Sequence, residues 1–201
     1  MKPQSFIFIG RYGAGKGTQA DLLIKKLAAA DPKNPPLYVQ TGQEFRDFIK
    51  GPSYTAQISK KITESGGLNP EFMPIYLWST LIVNKFTGAE GLVFDGTPRK
   101  LLEAKLLESL FPFYNLDKPW VIYLDVEHGE SHKRLLLRAK TSGRADDHEK
   151  AMEVRKAAYE ADVIPTIEYY RAHPGVRFLD IDGERSIEEI HADIAKHVGL
   201  A

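Results

Sequence analysis

The residues with the plainest chemistry lie near the N-terminus: Gly10-Arg11-Tyr12-Gly13-Ala14-Gly15-Lys16-Gly17-Thr18-Gln19. The spacing is G-x-x-x-x-G-K-G-T, a phosphate-binding loop with one glycine inserted before the hydroxyl residue. Gly10, Gly13, Gly15 and Gly17 can take positive φ and let the backbone approach a ligand closely. Successive N–H groups then form an anion nest at a helix N-terminus. Lys16 supplies a mobile charge for the β- and γ-phosphates, and the Thr18 hydroxyl is the expected Mg2+ ligand. A turn with no ligand would need neither the lysine nor the hydroxyl. Gly13, Ala14, Gly15, Lys16, Gly17 and Thr18 are therefore expected to hold a nucleotide.

Further along stand three groups able to handle anions: Thr41-Gly42-x-x-x-Arg46, Asp95-Gly96-Thr97-Pro98-Arg99, and the series Arg134, Arg138, Arg144 and Arg155. Transfer of a phosphoryl group between two nucleotides crowds negative charge and leaves the protein little covalent work. Positioning and charge neutralisation carry the catalysis. The planar fork of arginine suits that task because it grips phosphate oxygens two at a time. Taken singly, each arginine has a plainer reading as a solvated face. Asp95 could simply cap a turn, and Asp146-Asp147 reads as a helix-capping pair. The six histidines show no metal-ligand grouping and read as surface residues, and Phe111-Pro112-Phe113-Tyr114 reads as core edge.

These residues need a scaffold, and the hydrophobic pattern supplies one. Ser5–Ile9 is a short apolar run without alternation, the signature of a buried parallel strand, and Leu37–Gln40, Leu92–Phe94, Trp120–Leu124 and Val176–Ile181 read as four further strands. Helical patterns fall between them: Thr18–Ala30, Thr41–Lys50, Tyr54–Glu64, Asn69 to Phe86, a stretch after Arg99 to Leu110, Glu130–Lys140, a long helix capped by Asp146 or Asp147 running to Arg171, and Ser186–Val198. Thr41/Glu44 and Ser186/Glu189 have capping-box spacing. Thr141-Ser142-Gly143 is expected to interrupt the helix before it. Strands alternating with helices imply a doubly wound parallel α/β sheet, and ligands there sit at the carboxyl ends of the strands. The glycine loop, Thr41, Asp95–Arg99 and Asp125 all fall at that edge.

In the order Gly10–Gln19, Thr41-Gly42-x-x-x-Arg46, Asp95-Gly-x-Pro-Arg99, Arg134-x-x-x-Arg138 and Arg138-x-x-Thr-Ser-Gly-Arg144-x-Asp-Asp147, with Arg155 beyond, the chain resembles the adenylate kinase family of nucleoside monophosphate kinases over nearly its whole length. The resemblance implies a P-loop fold with a five-stranded parallel sheet in one domain, residues 1–201, with a nucleoside-monophosphate-binding segment at about 41–70 and a short lid at about 139–146. It implies Mg-ATP as donor and a nucleoside monophosphate as acceptor, AMP first. Lys16, Arg138, Arg144 and Arg155 would serve the donor phosphates and the transferring group, Arg134 would stack on the donor base, and Arg46 and Arg99 would hold the acceptor phosphate. Thr41, Asn69, Gly96 and Glu103 complete the acceptor site. Thr18 binds Mg2+ and Asp95 binds it through water. No general base is required.

Three positions depart from the family pattern: Gln43 replaces an aspartate, Thr97 an apolar or aromatic residue, and Glu103 the amide that reads the acceptor base. Adenine offers a donor at N6 and an acceptor at N1, whereas an ionised carboxylate only accepts. Guanine presents two donors there, so a GMP-preferring kinase stands beside the AMP reading, with CMP and UMP behind. A solvated Glu103 is the bland alternative. The same departures allow a nucleotide-binding regulatory protein that barely turns over. A GTPase switch lacks support because no Asn-Lys-x-Asp motif is present.

Composition sets the bounds. The 201 residues, 43% hydrophobic and 27% charged, suffice for one soluble domain with a core. Lys+Arg and Asp+Glu balance at 27 each, without the basic excess of a nucleic-acid or anionic-membrane binder. There are no cysteines, which excludes disulfides and cysteine-ligated zinc. No stretch reaches the roughly 18–20 apolar residues of a membrane span, and no signal-peptide pattern is present. A cytoplasmic monomer is expected.

Overall fold

The computed structural model describes residues 3–142 and 148–200. Five strands form one sheet: β1 (Phe6–Gly10), β2 (Leu37–Gln40), β3 (Leu92–Asp95), β4 (Trp120–Asp125) and β5 (Arg177–Asp182). Their order is β2-β3-β1-β4-β5 and every pairing is parallel. Strand β1 is central, pairing Phe6 with Val93 of β3 on one side and Trp120 of β4 on the other. After β1 the chain visits β2 and β3 on one side and then crosses to β4, which makes the carboxyl end of β1 the switch point where a ligand crevice opens.

Period two decides which residue faces which layer. Ile7 and Ile9 point into a core with Val39, Trp78, Phe94, Leu107, Val121 and Tyr170. Phe6 and Phe8 point the other way, against Leu23, Val93, Ile122, Leu124 and Ile194. The helices are α1 (Lys16–Ala30), α2 (Thr41–Phe48), α3 (Tyr54–Glu64), α4 (Phe72–Lys85), α5 (Leu101–Glu108) and α6 (Leu110–Phe113). Then come α7 (His128–Ser142), α8 (Glu149–Ala158), α9 (Ile164–Ala172) and α10 (Ile187–His197). Helices α1 and α10 pack together on the second core, while α4, α5, α6 and α9 cover the first.

All five expected strands are present within a residue or so, and α3 spans the expected residues. The Ser186–Glu189 capping box forms in both directions. The Thr41–Glu44 box does not: helix α2 starts at Thr41 itself, with Gln40 at the cap and no side-chain cap bond. The Thr41 side chain is turned inward instead, buried and lining a cavity. Helix α4 begins at Phe72 rather than Asn69, because the Asn69 amide donates to Thr63 Oγ1 (3.2 Å) and ties the loop back to α3. Helix α7 continues through Ser142, so the break expected at Thr141 is not there. Helix α8 is capped by His148, whose Nδ1 accepts from the Ala151 N–H (3.2 Å); Asp146 and Asp147, expected at this cap, lie outside the described residues. The long helix to Arg171 is broken by a π-helical turn at Tyr159–Val163.

Candidate active site

A cavity of about 730 Å3 opens at the carboxyl ends of the central strands. At its base, the loop between β1 and α1 is pinned from two sides. Gly13 has φ 81°, and a Cβ there would lie 2.8 Å from the Ser131 carbonyl of α7. Ser131 Oγ donates to the Tyr12 carbonyl (2.6 Å). Gly15 ends the loop in the left-handed region and caps α1. Gly17, read from the sequence as able to take positive φ, lies inside the first turn of α1 and does not use that freedom. Its lack of a side chain serves proximity: a Cβ would sit 3.3 Å from Asp95 Oδ2.

Lys16 lies inside this loop. Its Nζ donates to the carbonyls of Gly10 (2.9 Å) and Arg11 (2.6 Å). Burial pushes its pKa down to about 8; Asp95 opposes that, and Arg99, Arg138 and Arg155 reinforce it. A cation surrounded by cations and stripped of water is a site built for anions. Asp95, at the end of β3, accepts from the Tyr38 hydroxyl of β2 (3.3 Å). The Tyr38 phenol is pushed far up, by burial first and by the Asp95 charge second.

Tyr12 stands between two arginines. The Arg99 guanidinium carbon lies 4.7 Å from its ring centroid and that of Arg155 lies 4.7 Å from the same centroid. Arg99 also donates from Nη1 to the Tyr12 hydroxyl (2.6 Å). Arg155, on α8, is buried at 4% exposure. Arg134 and Arg138 line the cavity from α7. Arg134 is held by Glu130 (2.8 Å from Nε) and by the Gly183 carbonyl (2.9 Å from Nη1).

Helices α2, α3 and α4 wall the far end. Arg46 donates from Nε (3.0 Å) and Nη2 (2.7 Å) to Gln43 Oε1, and the Gln43 amide donates onward to Asp47 (2.8 Å). Gln43 thus orients the arginine with an amide oxygen. Thr41 Oγ1 and Asn69 Oδ1 are buried without a hydrogen-bond partner among the described residues. Such orphans are rare and mark where a ligand would supply the missing bond. Glu103, on α5, is not solvated as the bland reading had it: it is 3% exposed. Its Oε2 accepts from the Thr97 hydroxyl (2.8 Å) and the Arg99 N–H (3.2 Å). Burial pushes its pKa up, against the pull of those two donors and of the Arg99 and Lys100 charges.

All the site residues expected from the sequence line this one cavity, except Arg144, which lies outside the described residues together with half of the expected lid. Three further lining residues escaped the sequence reading. Tyr12 could have been noticed as an aromatic within a glycine loop. Gln19, buried on α1, donates to the Ile187 carbonyl (3.0 Å). Arg185 pairs with Asp193 (2.8 Å) beside α10, and only the return of the chain after β5 brings it to the cavity rim. Among the described residues there is no cluster of three His, Cys, Asp or Glu side chains able to hold a metal, and no helix long and apolar enough to cross a membrane.

A phosphate loop at a switch point, facing a row of arginines and a second walled recess, defines a P-loop phosphotransferase with room for two ligands. Comparison with known proteins narrows the class. The adenylate kinase family model matches residues 8–174. The adenylate kinase of Leptospira biflexa is 34% identical over 96% of this chain and 98% of its own length. That of Parabacteroides distasonis is 31% identical over 96% of each chain, and that of Bacteroides fragilis 29% over 96% of this chain and 97% of its own. The chain belongs to the adenylate kinase family.

Proposed function

We propose that this protein transfers the γ-phosphoryl group of Mg-ATP to AMP, giving two ADP. The observation that carries the reading is one cavity lined by the Lys16 loop, by Thr41 and Asn69 with their orphaned polar atoms, and by Arg99 and Arg155. The donor phosphates lie on the loop amides and Lys16, with Arg138, Arg144 and Arg155 gathering charge at the transferring group. Arg46 and Arg99 hold the acceptor phosphate, and Arg134 packs on the donor base. The acceptor phosphate is itself the nucleophile, so the arginines need only align it and offset charge.

The oxygen donors fit a hard cation. Thr18 is exposed on the cavity side of the loop and Asp95 presents its carboxylate beside Gly17. Mg2+ takes one or two protein oxygens, water and substrate phosphates rather than a full protein cage. Thr18 would bind it directly and Asp95 through water, and the ion would supply charge neutralisation on the β- and γ-phosphates. The segment at about 41–70 closes over the acceptor and a short lid at about 139–146 over the donor, excluding water. The protein acts as a cytoplasmic monomer on free nucleotides, a reading supported by its neutral charge and cysteine-free composition.

The test is turnover of Mg-ATP with AMP, GMP, CMP and UMP in parallel, reading nucleoside diphosphate directly. AMP is expected to give the highest kcat/KM. A clear preference for GMP would overturn the acceptor assignment, and binding of ATP without transfer to any of the four would overturn the reaction.

A further inference from the structure

Two of the departures from the family pattern, Thr97 and Glu103, touch each other. Thr97 is 1% exposed and Glu103 3% exposed, and the Thr97 hydroxyl donates to Glu103 Oε2. The Arg99 N–H donates to the same oxygen, which fixes Oε2 as an acceptor. Oε1 takes no hydrogen bond from the described groups. Glu103 is also the most deeply buried carboxyl lining the cavity, whose wall includes Thr41 and Asn69. With Arg46 and Arg99 holding the acceptor phosphate, this recess is where the base comes to lie.

A carboxylate here has only lone pairs to offer, so one of its oxygens would oppose adenine N1. A carboxylic acid has one O–H donor, which bonds adenine N1 where a carboxylate oxygen would oppose it. Because Oε2 already accepts twice, the proton belongs on Oε1. We propose, resting on the AMP reading above, that Glu103 meets the acceptor adenine as the neutral acid, so that AMP binding takes up one proton and the Thr97–Glu103 pair sets the acceptor's pH dependence.

The charges around Glu103 allow this. Arg99 and Lys100 favour the carboxylate, but Lys100 is shared with Glu71, the residue before α4 (3.5 Å). From α9 the facing titratable group is Tyr170, a buried phenol pushed up mainly by burial, with Glu103 as a minor cause. Arg46 faces the cavity from α2 and is already occupied by Gln43. Burial dominates the balance and favours the neutral form. A bound phosphate on Arg99 would weaken the strongest charge acting the other way.

The experiment uses the full chain with saturating Mg-ATP and measures KM for AMP and GMP from pH 6.5 to 8.5 in wild type, Glu103→Gln and Thr97→Val. Titration of Lys16 and of the AMP phosphate is common to all three, so the ratio to Glu103→Gln isolates the carboxyl. Above the pKa of the free carboxyl, the wild-type KM for AMP rises toward tenfold per pH unit. The ratio of wild-type to Glu103→Gln KM for AMP is therefore expected to climb about tenfold or more across the range, with Glu103→Gln the better AMP enzyme at pH 8.5. Thr97→Val removes a donor that favours the carboxylate, so its upturn moves to higher pH, and this variant decides the matter if Glu103→Gln fails to fold. For GMP the Glu103→Gln change raises KM. Calorimetry of AMP binding at pH 8 in buffers of different ionisation enthalpy should show proton uptake in wild type. A pH-independent KM ratio with AMP still phosphorylated, or no proton uptake, overturns the proposal. Absence of AMP phosphorylation at every pH would instead sink the underlying AMP reading.

Discussion

The most consequential single residue is Lys16, a buried ammonium held by two carbonyls until phosphate arrives. Lys16→Ala is expected to fold, since removing a desolvated charge from a nest of arginines relieves strain on the free protein. It should lose turnover on the order of 10²–10³-fold, the usual cost of deleting one preorganised charge contact to a transition state. Near-normal turnover in a folded variant would refute its role. The sign of its titration adds a second expectation. Its pKa is lowered to about 8, so the free enzyme holds Lys16 charged below that pH and loses the charge above it. Here kcat/KM for ATP should decline above about pH 8, and a profile still flat at pH 9 would contradict this. Tyr12 belongs to the same scale. It holds Arg99 and Arg155 apart in the absence of phosphate, through a ring contact to each and a hydrogen bond to Arg99. Tyr12→Phe removes only the hydrogen bond, about 0.5–1.5 kcal/mol, whereas Tyr12→Leu also removes two cation–π contacts of about 0.5–1 kcal/mol each. A graded fall in kcat, larger for leucine, is expected in steady-state assays, and equal kcat for the two variants would rule out the ring's part.

At the scale of elements, the caps and close approaches are what set the frame. The Ser186 hydroxyl accepts from the Glu189 N–H (3.2 Å) while the Glu189 carboxylate accepts from the Ser186 N–H (3.0 Å) at the start of α10. Ser186→Ala should cost about 1 kcal/mol, or roughly 2–4 °C in Tm for a chain of this size, measurable by calorimetry. A second junction joins α3 to α8. Gly66 has φ 86°, and a Cβ there would lie 2.5 Å from the Ala151 carbonyl. Beside it, His148 Nε2 lies 3.1 Å from the Glu64 carbonyl. The end of the acceptor-binding segment thus rests on the helix that carries Arg155. Gly66→Ala combines backbone strain with a clash, so it should push these elements apart and raise the KM for AMP more than that for ATP. An unchanged KM for AMP would show that the junction does not set the acceptor recess.

At the scale of the whole molecule, two cores on either face of one parallel sheet carry the stability, and the sheet edge carries the site. Leu107 of α5 is fully buried in the first core. Leu107→Ala should cost about 2–5 kcal/mol, a large share of a total of about 5–15 kcal/mol. A fall in Tm of about 5–15 °C is expected by calorimetry, and a shift under 2 °C would mean that the core collapses around the gap. The zero formal net charge of the molecule conceals a cationic cavity, lined by Lys16 and six arginines against Asp21, Asp95 and Glu103.

Strands, sheet class, the phosphate loop and the series of arginines were all legible in the sequence, because each rests on local spacing: short apolar runs for strands, glycine with lysine for the loop, capping-box spacing at Ser186. Caps were less legible at Thr41 and at the start of α8, since the same local signal fits a side chain that tertiary packing turns into a cavity, and a histidine can cap where the pattern points to an acid. Tyr12 between two arginines was not legible at all. Its partners come from residues 99 and 155, and no local pattern ties them to residue 12. The same holds for Glu103, for which spacing gave the position but not the state. The sequence by itself determined which groups could bind phosphate and in what order the chain presents them. Only the tertiary structure decided that Glu103 is buried against Thr97, because desolvation and hydrogen bonding depend on which distant segments exclude water from a side chain.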